Sequence, residues 1–123
     1  LGPGTLSDVE WLVQLLQLQH AHDVPALQTT STLTALGAAV DAGFVPADAA
    51  DLLRAAWLLS SRLRSAITLY TGKTSDVLPT DPRDLDAIGR LLGYPDRSAS
   101  VLDDDYLGVT RRARRAFEQL FYG

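Results

Sequence analysis

Apolar residues recur along this chain at spacings of three and four, not two, so helices with one buried face are expected and strands are not. The pattern predicts five helices. The first runs from about Val9, or slightly earlier, to His22. Val9, Leu12, Val13 and Leu16 make one apolar stripe, Trp11, Leu15 and Leu18 make a second beside it, and Glu10, Gln14 and Gln17 form a narrow polar line. A helix so nearly apolar all round is expected at the centre of a bundle. Ser7-Asp8-Val9-Glu10 reads as a capping box, in which the Ser7 hydroxyl accepts from the Glu10 N–H and the Glu10 carboxylate reaches back. Pro25 keeps the helix from continuing far.

The second helix is predicted from about Thr32 to Ala42, with Ser31 as N-cap, Gly43 just past its end, and Leu33, Leu36 and Val40 inward. The third extends from Pro46 to Thr71, roughly 39 Å at the usual helical rise. Ala49, Leu52, Leu53, Ala56, Leu59, Leu63, Ile67 and Tyr70 recur along it at helical spacing, and Gly72 stops it. After a loop from Lys73 to Thr80, Thr80 or Asp81 caps a fourth helix with Pro82 in its first turn. Leu85, Ile88, Leu91 and Leu92 face inward and Gly93 ends it. The fifth is expected to start near Ser100, where Ser100-Val101-Leu102-Asp103 is a second capping box. That places Asp103, Asp104 and Asp105 in the first turn, where the helix dipole favours carboxylates. Leu102, Tyr106, Val109, Ala113, Ala116, Phe117 and Leu120 make its core stripe. The fold class is therefore an all-α helical bundle of about five helices.

The length, 123 residues, fits one domain that buries roughly two-thirds of its unfolded surface and folds without staples. The absence of cysteine excludes disulfides, thiolate metal sites and a cysteine nucleophile, and it suits a cytoplasmic setting. A net charge of −4 argues against a nucleic-acid binder. No apolar run is long enough to span a membrane. Leu1-Gly2-Pro3-Gly4 contains neither an initiator Met nor a signal peptide, so the chain reads as a piece of something longer.

Few residues invite a chemical reading, and each has a plainer alternative. His20 and His22 suggest a metal pair, but residues two apart on a helix point about 200° away from each other, which favours a surface pair at the helix end. Asp103 and Asp105 form the Asp-x-Asp pattern with which nucleotidyltransferases hold Mg²⁺, generally from an extended segment; on a helix they diverge by the same geometry. Arg111, Arg112, Arg114 and Arg115 form a basic strip in which Arg111, Arg114 and Arg115 share one face. It is either solvated, or in contact with acidic first turns of other helices, or a docking site for a phosphate-bearing or acidic partner. No aromatics interleave it for stacking on single-stranded nucleic acid. No Gly-rich phosphate loop and no Ser–His–acid triad is present.

Specific residues go further. The run from Gly4-Thr5-Leu6-Ser7-Asp8-Val9-Glu10-Trp11 to Ala21 resembles the Gly-Gly-Leu/Ile-x-Asp-Ile-Glu-Phe-x-Val-Gln segment of bacterial glutamine-synthetase adenylyltransferases, with Thr5 in place of the second Gly and Trp11 in place of Phe. Leu78-Pro79-x-Asp81, Leu91-Leu92-Gly93-Tyr94-Pro95, Arg111-Arg112-Ala113-Arg114 and the closing Leu120-Phe121-Tyr122-Gly123 agree with it. The related PII uridylyltransferases share the fold but match these words less well. The resemblance covers essentially the whole chain.

It implies a helical domain, residues 7–123, behind the end of a linker, residues 1–6, from a preceding nucleotidyltransferase domain. Gly123 resembles the family's C-terminus, which implies the unit that transfers AMP from ATP to a tyrosine of glutamine synthetase. Mg and ATP would belong to the preceding catalytic domain, whose metal-binding carboxylates are absent here, and the fragment alone is expected to be inactive. Partners implied are that domain, glutamine synthetase and a PII-type signal protein, with glutamine as a further regulator. Asp8, Glu10 and Gln14 are candidate contributors to the catalytic cleft, although capping and the helix dipole also account for Asp8 and Glu10. Arg111, Arg114 and Arg115 are candidate partner-binding residues. A free-standing helical adaptor without catalytic activity is the alternative.

Overall fold

Helix-forming periodicity, proline starts and glycine stops translate directly into the observed elements. A computed structural model describes residues 5–75, 78–97 and 99–122. They form α1 (Thr5–His20), a single 3₁₀ turn (Pro25–Leu27), α2 (Thr32–Asp41), α3 (Ala47–Thr71), α4 (Pro82–Leu91) and α5 (Ala99–Tyr122). Among the described residues there is no strand, so the all-α bundle of five helices holds. Among the described residues no helix is long and apolar enough to cross a membrane.

The caps of the middle helices form as the residue types dictate. The Ser31 hydroxyl accepts from the Thr34 N–H at 3.3 Å, and the Asp81 carboxylate, not Thr80, accepts from the Arg83 N–H at 2.9 Å. Gly72 and Gly93 adopt φ of 74° and 89°, a left-handed conformation in which a side chain is strained, and each follows the last turn of its helix.

The two outer helix starts differ from expectation. α1 begins at Thr5, so Ser7 lies inside its first turn and the Ser7–Glu10 capping box does not form; Gly4 is outside the described residues. α5 begins at Ala99, ahead of Ser100, so Ser100 is helical too and its box with Asp103 is lost; Ser98 is outside the described residues. The first turn of α5 carries no acidic residue, and Asp103 to Asp105 fall in the second turn. In both places a Ser-x-x-acid pattern occurs one or two residues inside a helix that starts upstream.

Packing produces two cores. Val9, Leu12, Val13 and Leu16 of α1, Leu27 of the 3₁₀ turn, Leu36 of α2, Leu53 and Ala56 of α3, and Ala113 and Phe117 of α5 build the larger one, with Val109 partly buried against it. Leu63 and Ile67 of α3, Leu85 and Ile88 of α4, and Leu102 and Tyr106 of α5 build the smaller. α3 and α5 run antiparallel through both. The central helix is therefore α3, not α1. The second stripe of α1 faces outward, with Trp11 50% and Leu18 87% exposed. Tyr70 and Leu91, expected inside, are also exposed. Where the cores meet, the Ser60 hydroxyl is fully buried, and among the described residues neither it nor the Trp57 indole N–H has a hydrogen-bond partner.

Candidate functional site

Two of the residues singled out by sequence, Asp8 and Arg114, meet where the start of α1 lies against the C-terminal half of α5. An Arg114 Nη1–H donates to Asp8 Oδ2 at 2.7 Å, and its Nε–H donates to Glu118 Oε1 at 3.0 Å. The guanidinium lies 5.1 Å from the centre of the Phe117 ring, a cation–π distance. The two carboxylates hold Arg114 protonated even above its ordinary range, the hydrogen bond that Asp8 accepts being the largest cause. Trp11, Phe117 and Phe121 pack beside this contact with ring centres 4.8 to 6.3 Å apart. The ion pair is half exposed on the Arg114 side, so solvent screens it and its net contribution to stability is small. It nevertheless joins α1 to α5 through two residues 106 apart in sequence.

Asp8 and Arg114 are thus brought together, while Asp8 and Glu10 are not. Asp8 borders an open groove of about 540 Å³ with Val9, Leu53, Thr110, Arg111 and Arg114. Two residues on, Glu10 leaves α1 about 200° further round and cannot reach the same ligand. Gln14 is exposed. Gln17, the last member of the polar line, is structural. Its Nε2 donates to the carbonyl oxygens of Leu27 and Thr29 at 2.8 and 2.7 Å. It pins the 3₁₀ turn that plugs the larger core with Leu27, a turn that helical periodicity does not predict.

Arg111, Arg112 and Arg115 are exposed, and among the described residues none has an ion pair or hydrogen bond through its side chain. Like charges three and four apart on a helix cost about 0.2–0.5 kcal/mol per pair. Arg112 folds back over Gly108, where a Cβ would stand 3.2 Å from its Nη1. Arg112 and Arg115 border a second groove, about 490 Å³, between α5 and the start of α3.

Neither metal candidate assembles. The His20 ring stacks on Phe44 at 3.8 Å, and His22 is exposed. Asp105 accepts from the Tyr94 hydroxyl at 2.7 Å, which with burial pushes the Tyr94 phenol up to about 12, burial being the larger cause. Among the described residues, no three His, Cys, Asp or Glu side chains are placed to hold a metal ion. Sequence reading also missed the Tyr70 hydroxyl donating to Asp84 at 2.8 Å, which raises the Tyr70 phenol. A tyrosine at a helix edge facing an aspartate on the next helix was the available signal.

Comparison with known proteins gives this arrangement a lineage. Three similar proteins are named bifunctional glutamine synthetase adenylyltransferase/adenylyl-removing enzyme. That of Leifsonia xyli subsp. xyli is 60% identical over 100% of the chain, that of Streptomyces coelicolor 51% over 99%, and that of Mycobacterium avium 51% over 98%. The chain spans only 12% of the length of each. The family model described as GlnD PII-uridylyltransferase matches residues 1–121. With both core helices, the α1 start and the arginine strip all inside the matched span, the chain belongs to the GlnD PII-uridylyltransferase family.

Proposed function

We propose that this chain is the helical domain that follows a nucleotidyltransferase domain in a glutamine synthetase adenylyltransferase of the cytoplasm. There it supports and tunes transfer of AMP from ATP to a tyrosine of glutamine synthetase, under the influence of a PII-type signal protein and glutamine. The carrying observation is alignment of the chain over 98–100% of its length with a small part, 12%, of enzymes bearing that name. The residues here do not fit Mg²⁺ or a nucleotide. The carboxylates of Asp103 to Asp105 splay around a helix and one of them is taken by Tyr94, so metal and ATP are assigned to the preceding domain and no step is derived through them here.

What these residues supply is orientation. The Asp8–Arg114 pair sets the start of α1 against α5, and α1 in turn presents Glu10 and Gln14 outside the core. Glu10 is the residue proposed to reach the neighbouring domain's cleft. In the full-length enzyme, Glu10→Gln is expected to slow adenylylation of glutamine synthetase about tenfold, near 1.4 kcal/mol, with the melting temperature almost unchanged. The isolated chain is expected to transfer no label from ATP. A native gene product no longer than this chain, or transfer by the isolated chain at the full enzyme's rate, would overturn the reading. A normal rate in Glu10→Gln would remove Glu10 from it.

A further inference from the structure

We infer that the groove between α5 and the start of α3 is a docking site for an acidic, amphipathic protein segment, whose carboxylates meet Arg112 and Arg115. The inference does not depend on the enzymatic reading above. The groove, about 490 Å³, has an apolar floor of Ala49, Leu52, Ala116 and Leu120. Its two lips differ in charge. Arg112 and Arg115 stand on the α5 lip, and Asp48 stands on the α3 lip, where its carboxylate already accepts from the Ala49 N–H at 2.9 Å.

The arginines are the informative part. This chain has 15 acidic against 11 basic side chains, so carboxylates are plentiful. Arg114, between them, takes two. Yet Arg112 and Arg115, three apart on α5, take none among the described residues, although their mutual repulsion is unfavourable. An anionic partner relieves that repulsion, and guanidinium groups pair with carboxylates in bidentate geometry. The apolar floor selects an amphipathic protein segment, laid in as helices are in hydrophobic grooves. Among the described residues no aromatic ring lines the groove to stack a base, so nucleic acid fits it poorly. The charge of the lips sets the orientation, with the acidic flank of the segment along α5 and its neutral or basic flank toward Asp48.

The probe is a capped helical peptide with leucines at i, i+3, i+4 and i+7 and glutamates on one flank, titrated into the whole chain by fluorescence anisotropy. A lysine-for-glutamate version and a single-stranded RNA of equal length serve as competing outcomes. The acidic peptide is expected to bind with strong salt dependence and to shift the amide resonances of Ala49, Leu52 and Leu120. Arg112→Glu with Arg115→Glu is expected to weaken it by about tenfold or more, and Arg112→Gln with Arg115→Gln by a smaller factor, circular dichroism showing both variants folded. Three results would each overturn the inference: no saturable binding of the acidic peptide, equal affinity for both double variants and the parent chain, or tighter binding of the lysine peptide or the RNA.

Discussion

The two cores of this bundle are held together by different means. Around the larger, α1, α2 and the 3₁₀ turn contribute aliphatic side chains that are almost fully buried, and the main polar help comes from Gln17 beneath the turn. The smaller is bounded by the short helix α4 and rests on fewer side chains, so its edges are fastened by polar contacts. The Tyr70 hydroxyl joins α3 to Asp84, the Tyr94 hydroxyl joins the end of α4 to Asp105, and Arg62 reaches the Leu92 carbonyl at 3.4 Å. α4 buries only Leu85, Ile88 and Gly89, and the charge-assisted hydrogen bonds to Asp84 and Asp105 add to that apolar contact.

The sharpest way to break that contrast is to cut the same amount of hydrocarbon from each core. Leu53→Ala, at a position 1% exposed, is expected to cost about 3–4 kcal/mol by urea denaturation. Ile88→Ala is expected to cost about 2 kcal/mol, since α4 can settle into the space its side chain leaves. Equal or reversed costs would show that the small core is as tightly determined as the large one. Next in size, Gln17→Ala strands the carbonyls of Leu27 and Thr29 and is expected to cost about 2 kcal/mol, with faster amide exchange around the 3₁₀ turn. A loss below about 0.5 kcal/mol would mean that Leu27 alone holds the turn.

At the seam between the cores, Ser60→Ala removes a buried hydroxyl with no partner and is expected to stabilise the chain by about 1 kcal/mol. Destabilisation would reveal a hydrogen bond worth keeping there. The smallest effect concerns the polar fastening of the small core. The Tyr94 phenol is raised from 10.0 to about 12 in the folded chain, so its contribution is complete below about pH 10 and is lost as pH rises through about 12. Tyr94→Phe is expected to cost under about 1 kcal/mol at neutral pH, given the exposure of Asp105, and to flatten the alkaline fall in melting temperature. An unchanged alkaline slope would detach that contact from stability.

Most of the helical content was legible because its punctuation is local. Ser31, Asp81 with Pro82, Gly72 and Gly93 act within one turn of where they sit, and the structure uses each as the residue type requires. α5 starts within one residue of the expected place, and what differs at both outer helices is the capping box, which needs a serine outside the helix; sequence alone does not say which side of the boundary Ser7 and Ser100 occupy. The 3₁₀ turn carries too few residues to show a period. The centrality of α1 failed for a further reason: an apolar surface is a statement about burial in the complete assembly of helices, and Trp11 and Leu18 are left outside this one. At the candidate site, the acidic-turn contact considered for the arginine strip is what Arg114 makes, but choosing Arg114 over its three neighbours requires the crossing of α1 and α5.

The arrangement of the cores along the chain also sets an order of assembly. The smaller core draws its fully buried residues from one continuous stretch, Leu63 to Tyr106, whereas the larger must bring Val9 to Phe117. Closing the shorter loops is entropically cheaper, so the α3–α4–α5 hairpin is the natural nucleus even though its core is the slighter one. Damage at Ile88 is then felt chiefly as slower refolding, and damage at Val9 chiefly as faster unfolding, which stopped-flow measurements on the two truncations separate. On that account α1, the helix that carries Asp8 and Glu10, joins the bundle with α2 and the 3₁₀ turn after the smaller core has closed, so the α1–α5 contact forms late in assembly.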